Sequence, residues 1–435
     1  MTTDIIPPAE PQTTGRFVVT FRDGAHAEAL ATMKKRAGLT KGKLMTTSDF
    51  GTDGVDVEQL PGSNGVVFEK LGIAVISVEA EAAGAMAQEA GEDSAILAVE
   101  PEGIMYALNA LPGLSLDYLR GFRDAADRLY DEAQQGEAGG GALGAAIASV
   151  FADNAQFTWG LQATKAAMSK YSGKGIKVAV LDTGLDLRHP DFLGRPIVSK
   201  SFVIGAATVQ DGHGHGTHCT GTSCGSRQPG QGRRYGIAYQ ADIHIGKVLS
   251  DQGSGGDVGI LAGIDWAVTN KVQVISMSLG ANVSTTTVAY ETAGQRALDA
   301  GTLIVAAAGN NASRAAGNLG FVGRPANSKS FMAVGAVDNR LRIADFSARD
   351  TLHSSGTAVD IAGPGVAVYS SWPMPTRYNT ISGTSMATPH VAGIAALWAE
   401  KTGARGAALW QRLIANAVTL SMPTADGGRG LVQAP

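Results

Sequence analysis

Three short strings in the second half of the chain each present one polar side chain from a turn of glycines or small residues beside an apolar run. They are VAVLDTGLD around Asp182, DGHGHGTHCTG around His215 and SGTSMATPHVAG around Ser385. A carboxylate, an imidazole and a hydroxyl are the parts of nucleophilic acyl transfer. The hydroxyl attacks, the imidazole takes its proton, and the carboxylate orients the imidazole. Read singly, each string has a plain structural alternative: a turn aspartate, a hydrogen-bonded core histidine, an N-cap serine. Together, in the order Asp, His, Ser, they argue for hydrolysis. A fourth string, AAAGNN (306–311), ends an apolar strand on the amide of Asn310, a donor of the kind a developing oxyanion requires.

The surrounding residues say which elements must hold these groups. Asp182 follows the strand-like IKVAVL (176–181), which puts its carboxylate at the carboxyl edge where open α/β sheets form sites. Gly214 and Gly216 let the backbone around His215 approach other segments closely, just before a helical stretch. Ser385 opens the helical run SMATPHVAGIAALWAEK; Pro389 is tolerated only near a helix start, so the hydroxyl sits where unpaired N–H groups and the helix dipole favour negative charge. A metal-dependent hydrolase built on His213, His215 and His218 is the competing reading. The cluster lacks the H-E-x-x-H spacing and a nearby glutamate base. His26, His189, His244, His353 and His390 are isolated and read as structural.

Stepping outward, residues 156–435 alternate apolar strands (176–181, 241–249, 272–279, 302–308, 331–337) with helical stretches at 258–269 and 289–300. Strands apolar on both faces predict a doubly wound α/β domain with a mainly parallel sheet. Residues 16–108 read as strand 16–21, helix 25–38, two strands within 65–80 around a turn at Gly72, helix 82–90 and strand 95–108. That order predicts a small α+β, ferredoxin-like sandwich. Residues 109–155 read as an amphipathic helix (116–135) and a Gly/Ala linker, a solvated spacer or an added latch, and residues 1–15 as a disordered polar N-terminus.

At 435 residues, with 44% hydrophobic and 17% charged residues, the chain fits two or three soluble domains, and its 57 glycines are scattered as turns. A net charge of −4 without a basic run argues against nucleic acid or an anionic membrane as main partner. No run of about 18 apolar residues predicts a membrane span. The N-terminus lacks the basic and apolar regions of a secretory signal, so synthesis in the cytoplasm is expected, with export by a non-standard route left open. Cys219 and Cys224, five apart, would face different ways on one helix, which disfavours a mutual disulfide and leaves buried thiols.

With these residues in view, the chain resembles the subtilisin-like serine proteases from about Trp159 to its end. Asp182 in DTG, His215 in HGTH, Asn310 in AAAGN and Ser385 in GTSMATPHVAG carry the resemblance, and HGTHCTG is closer to the proteinase K-like branch. The resemblance implies a serine endopeptidase acting on polypeptides, with Ser385 as nucleophile, His215 as base and Asp182 as its orienting partner. It implies an oxyanion hole of Asn310 and the Ser385 N–H. It implies substrate-binding edges at Gly253-Ser254-Gly255 and Ser278-Leu279-Gly280, and a specificity pocket walled by Ala307-Ala308-Gly309 with Gly323 at its floor. It also implies a cis bond at Arg324–Pro325 and a weak calcium site at Asp360, whereas SRQPGQGRR (226–234) replaces the loop that carries a tight one. Calcium is thus an expected structural ion only; none is needed for chemistry. Residues 16–108 resemble the family's propeptide, an intramolecular chaperone and inhibitor released by self-cleavage. The cut is expected either just past Tyr106 or within 136–144.

Overall fold

The computed structural model describes residues 12–39, 44–108, 150–350 and 358–435. The helix and linker expected over 109–149, the first eleven residues and His353 lie outside the described residues. The described residues up to 108 and from 151 onward belong to one compact unit.

The N-terminal part runs β1 (Thr13–Phe21), α1 (His26–Ala37), β2 (Leu44–Thr46), β3 (Gly65–Phe68), β4 (Ile73–Ile76), α2 (Ala80–Glu89) and β5 (Ile96–Ala107). The strands lie in the order β5-β1-β4-β3-β2; the first three pairings are antiparallel and β2 adds a short parallel edge. This is the expected ferredoxin-like pattern plus β2, which three half-buried residues did not announce. β1 begins at Thr13, so residues 13–15, read as part of the N-terminal tail, belong to the strand, and Thr13 pairs with Gly103 of β5 beyond a register shift. Alternation along β1 serves two cores. Val19 and Phe21 face α1 and α2 with Met33 and Met86, while Val18 turns the other way with Val66, Phe68 and Val75.

From 151 onward the elements are β6 (Lys177–Asp182), β7 (Ile197–Ser201), α3 (His215–Cys224), β8 (Asp242–Lys247), β9 (Ser254–Gly256), α4 (Asp257–Thr269), β10 (Val274–Met277), β11 (Leu279–Gly280), α5 (Val288–Asp299), β12 (Leu303–Ala307), β13 (Met332–Val337), β14 (Ile361–Pro364), β15 (Val368–Ser371), β16 (Tyr378–Ile381), α6 (Thr384–Thr402) and α7 (Gly406–Ala415). Seven strands form a parallel sheet in the order β14-β13-β12-β10-β6-β8-β7. Residues on one face, such as Val178, Val180, Ile243 and Val305, share a core with α3 and α6. Their neighbours Ala179, Leu181, Ile275 and Ile304 share one with α4 and α5. Both faces are covered, which is why the central strands are mostly apolar, while the edge strand β7 (IVSKS) carries polar, exposed residues. Phe151 N–H bonds Asn339 O at 3.0 Å and Asp153 pairs with Arg233, so residues 151–155, expected in the linker, pack on this part. Among the described residues no helix is long and apolar enough to cross a membrane.

The two parts share a core and a sheet. Val18, Val66, Phe68 and Val75 cluster with Leu261, Ile264 and Trp266 of α4. Strand β5 continues past β1 to pair with β9 and β11, joining the N-terminal sheet to the C-terminal part.

Candidate active site

Asp182 ends β6 at the carboxyl edge of the sheet. His215 is the first residue of α3 rather than preceding it. Gly214 holds φ +107°, and a Cβ there would meet the Trp372 ring at 2.4 Å; a Cβ at Gly216 would meet Gly184 O at 2.3 Å. These glycines let the start of α3 press onto the turn after β6, where Gly216 N–H donates to Thr183 Oγ1 at 2.8 Å. Asp211, buried, ties the same two segments: its oxygens accept from Thr183 Oγ1, His213 N, Gly214 N and both polar groups of Thr217.

The result is a direct bond of 2.7 Å between His215 Nδ1 and Asp182 Oδ1, with both side chains buried. Burial alone would push the imidazole pKa down. The adjacent Asp182 carboxylate overrides it and holds His215 well above the ordinary histidine value. Nε2 of His215 has no hydrogen-bond partner.

Ser385 is the second residue of α6. Its hydroxyl donates to Ser278 O at 3.0 Å, so the expected contact with the imidazole is not made in this rotamer. Cys219 spans the gap: its Sγ lies 3.9 Å from His215 Nδ1 and 3.5 Å from Ser385 O. Burial raises the Cys219 thiol pKa, so it stands there as a neutral group. Cys219 and Cys224 are free and buried.

The Asn310 amide is oriented by a residue the sequence did not single out. Thr384 donates to Asn310 Oδ1 from its N–H (2.9 Å) and its hydroxyl (2.8 Å), which turns Nδ2 outward. Its presence beside Ser385 in G-T-S was the available signal. Nδ2 donates at 2.9 Å to the carbonyl of Leu108, the last described residue of the N-terminal part. The Ser385 N–H, expected as a second donor, makes no hydrogen bond to this carbonyl. A flat carbonyl oxygen does not occupy the position a tetrahedral oxyanion takes.

Both expected substrate edges are occupied by the chain's own strand. Met105 and Tyr106 register with Gly255 and Ser254, and Tyr106 and Ala107 with Gly280 and Leu279. Ala107 N–H donates to Gly253 O at 2.8 Å, and Leu108 N–H to Ser278 O at 3.5 Å. Leu108 is 3% exposed, and a Cβ on Gly280 would touch its Cδ1 at 3.1 Å. Ala307, Ala308 and Gly309 follow at the end of β12. Gly323 N–H donates to Ala308 O, and Gly309 N–H to Thr384 Oγ1. The Arg324–Pro325 bond is cis, as is Met374–Pro375, which was not expected.

The histidine cluster does not converge. His215 Nδ1 is committed to Asp182, His218 Nε2 bonds Val368 O at 3.0 Å with its pKa lowered by burial to about 3, and the His213 and His215 ring centres are 6.2 Å apart. Among the described residues the group able to hold a metal at this place is Asp182, His215 and Cys219, the Asp–His pair with the thiol beside it.

A parallel α/β sheet that gathers an Asp–His pair, a helix-start serine and a half-buried amide where an extended strand docks defines a serine hydrolase with a peptide-binding cleft. Residues 173–431 match the subtilase family. The chain is 37% identical over 273 residues to subtilisin DY of Bacillus licheniformis, covering 62% of this chain and 94% of that protein. It is 40% identical over 280 residues to subtilisin Savinase of Lederbergia lenta (63% and 96%), and 39% identical over 280 residues to alkaline elastase YaB of Bacillus sp. (strain YaB) (63% and 68%). The chain belongs to the subtilase family. It is a serine endopeptidase that acts on polypeptides.

Proposed function

We propose that this chain is the precursor of the endopeptidase, that residues 12–108 are its built-in inhibitor, and that the bond after Leu108 is the first it cuts. The Leu108 carbonyl on the Asn310 amide, at the end of a strand hydrogen-bonded to both edges of the cleft, carries this reading. It favours a cut two residues beyond Tyr106 over one within 136–144.

The side chains take these roles. The Ser385 hydroxyl leaves Ser278 O for the unpartnered Nε2 of His215, which accepts its proton as Oγ attacks the Leu108 carbonyl carbon. Asp182 keeps the Nδ1–H proton on its own side and stabilises the imidazolium. Negative charge developing on the carbonyl oxygen falls to Asn310 Nδ2, held in aim by Thr384. As the tetrahedral adduct collapses, the Leu108–Asn109 C–N bond breaks and His215 returns the proton to the leaving amine. Water, activated by the same imidazole, then releases Ser385 from the Leu108 acyl group. Other polypeptides enter along Gly253–Gly255 and Ser278–Gly280 as an added strand. Ala307–Gly309 and Gly323 would wall the pocket for the residue before the cut, which favours a medium or large apolar side chain there.

The N-terminal part also caps two helices it packs against. Glu102 accepts Val258 N–H at the start of α4 (2.8 Å), and Glu100 accepts Val288 and Ala289 N–H at the start of α5 (3.2 and 3.1 Å). Arg296 of α5 donates to Phe21 O and Leu71 O in return.

For calcium the donor set is thin. Asp360 Oδ2 accepts Ala333 N–H at 2.8 Å, leaving one carboxylate oxygen, and burial pushes its pKa up to about 7. Asp350 and Thr424 line the same hollow as Asp360, but so does Arg429, whose guanidinium disfavours a cation there. The 226–234 loop is pinned by protein donors instead: Asp191 accepts Gly230 N–H and the Tyr235 and Tyr378 hydroxyls.

The test is Ser385→Ala in the full chain. Both casein hydrolysis and self-processing should cease, while the unaltered chain yields a fragment ending at Leu108 by intact mass. Maturation of the purified alanine variant would refute the reading.

A further inference from the structure

The seam between residues 12–108 and helices α4 and α5 buries acidic groups that hydrolysis does not use. Asp257 opens α4; its Oδ2 accepts Gly103 N–H (2.6 Å) and its Oδ1 the Tyr290 hydroxyl of α5 (2.7 Å). Beside it on β5 is Glu102, also buried, bonded to Thr14, to Arg16 Nε (2.6 Å) and to Val258 N–H. Two turns along α4, Asp265 is 3% exposed and faces Thr47 and the amides of Lys70 and Leu71, with Glu69 close by. Its Oδ1 has no hydrogen-bond partner. Glu100 completes the set over α5. The cations facing these groups are Arg16, on Glu102, and Arg324, which acts on Asp257 and Glu100. Asp265 has Glu69 rather than a cation beside it.

Such an arrangement is costly with every carboxyl ionised, because burial penalises charge and Glu102 and Glu69 add repulsion. We propose that docking of the N-terminal part onto α4 and α5 takes up protons at Asp257 and Asp265, so that the seam is tightest in mildly acidic solution and opens as pH rises through neutrality. The proposal rests on the reading of residues 12–108 as an inhibitor and adds what releases it.

The direction follows from the two states. Docked, burial pushes Asp257 up to about 6 and Asp265 up to about 7, from an ordinary 3.8. Undocked, the outer face of α4 meets water and both fall back toward the usual carboxylate range. A group whose docked pKa is the higher one favours docking fully below its undocked pKa. It loses that contribution as pH climbs past the docked value. Each unit of difference is a factor of ten in the docking constant, so Asp257 alone can weaken docking by up to roughly 100-fold. Hydration of the seam reduces this, and a change of about tenfold or more is expected between pH 5.5 and 8.5.

The full chain carrying Ser385→Ala, which keeps the strand uncut, is the material to test. Hydrogen–deuterium exchange is followed for β5 from pH 5.5 to 8.5, with labelling times scaled to the intrinsic exchange rate; β6 and β12 report that the parallel sheet stays folded. The β5 opening constant should rise at least tenfold over this range. Asp257→Asn and Asp265→Asn, singly and together, should flatten the rise and keep β5 protected at pH 8.5, because an amide accepts and donates as a protonated carboxyl does. An opening constant independent of pH, or a slope that survives both substitutions, overturns the proposal. A β5 that exchanges freely at every pH overturns the inhibitor reading itself.

Discussion

Leu108 offers the sharpest test of where the precursor cuts itself. Its side chain is 3% exposed, so truncation to alanine returns three carbons' worth of burial, about 2 kcal/mol. That loss weakens docking by about 30-fold. It falls on a contact already made before attack, so it slows cleavage only as far as it empties the docked state. Leu108→Asp differs in kind. It sets a carboxylate in a closed pocket on the same residue as the carbonyl that must itself become negative, a cost of several kcal/mol. Self-processing of Leu108→Asp should therefore slow by at least about 100-fold, with alanine between it and the unaltered chain. The assay is a time course of intact mass after refolding of denatured precursor, scoring both the rate and the terminus formed. An aspartate variant that still yields a fragment ending at residue 108 at close to the unaltered rate would show that this carbonyl is not the one attacked.

Four further outcomes follow from the site. Asn310→Ala should lower kcat by about 10²–10³-fold with little change in KM, the magnitude known for the oxyanion asparagine of a subtilisin; Thr384→Val should do the same more weakly, and intact kcat in both would remove the amide from the mechanism. Hydrolysis needs neutral His215, whose pKa Asp182 raises, so activity falls as pH drops through that value; the low-pH limb of kcat/KM should lie on the alkaline side of 6.5, and a limb centred below the ordinary histidine range would contradict the Asp182 coupling. Mercurials should inhibit through Cys219, and Cys219→Ala should remain active and lose that sensitivity; full activity of a stoichiometrically mercurated enzyme would count against the packing seen here. Added calcium should raise Tm of the unaltered enzyme and not of Asp360→Asn; equal shifts in both would place any bound ion elsewhere.

The order of elements around the chemistry was legible because local signals were strong. Largely apolar runs marked β6, β8, β10, β12 and β13, and Pro389 placed Ser385 near a helix start. What stayed hidden depends on groups far apart in the chain. Glu102 capping Val258 and Asp257 accepting from Gly103 are partners about 150 residues apart, and no local pattern announces such pairs. Thr384 as the orienting group of Asn310 is equally non-local. The Ser385 rotamer is a choice between two acceptors, Ser278 O and His215 Nε2, that residue types alone do not decide. β2 was lost because three half-buried residues carry no period.

The apolar seam has a consequence for timing. Val18, Val66, Phe68 and Val75 are covered on one side by α4. Once the two parts separate, that side of the small sheet meets water and the liberated piece loses the apolar cover that α4 supplied. A loosened polypeptide beside a newly opened peptidase is its nearest meal. On the proposed reading of residues 12–108 as an inhibitor, activation runs in one direction: each molecule that escapes would destroy the means of its own restraint.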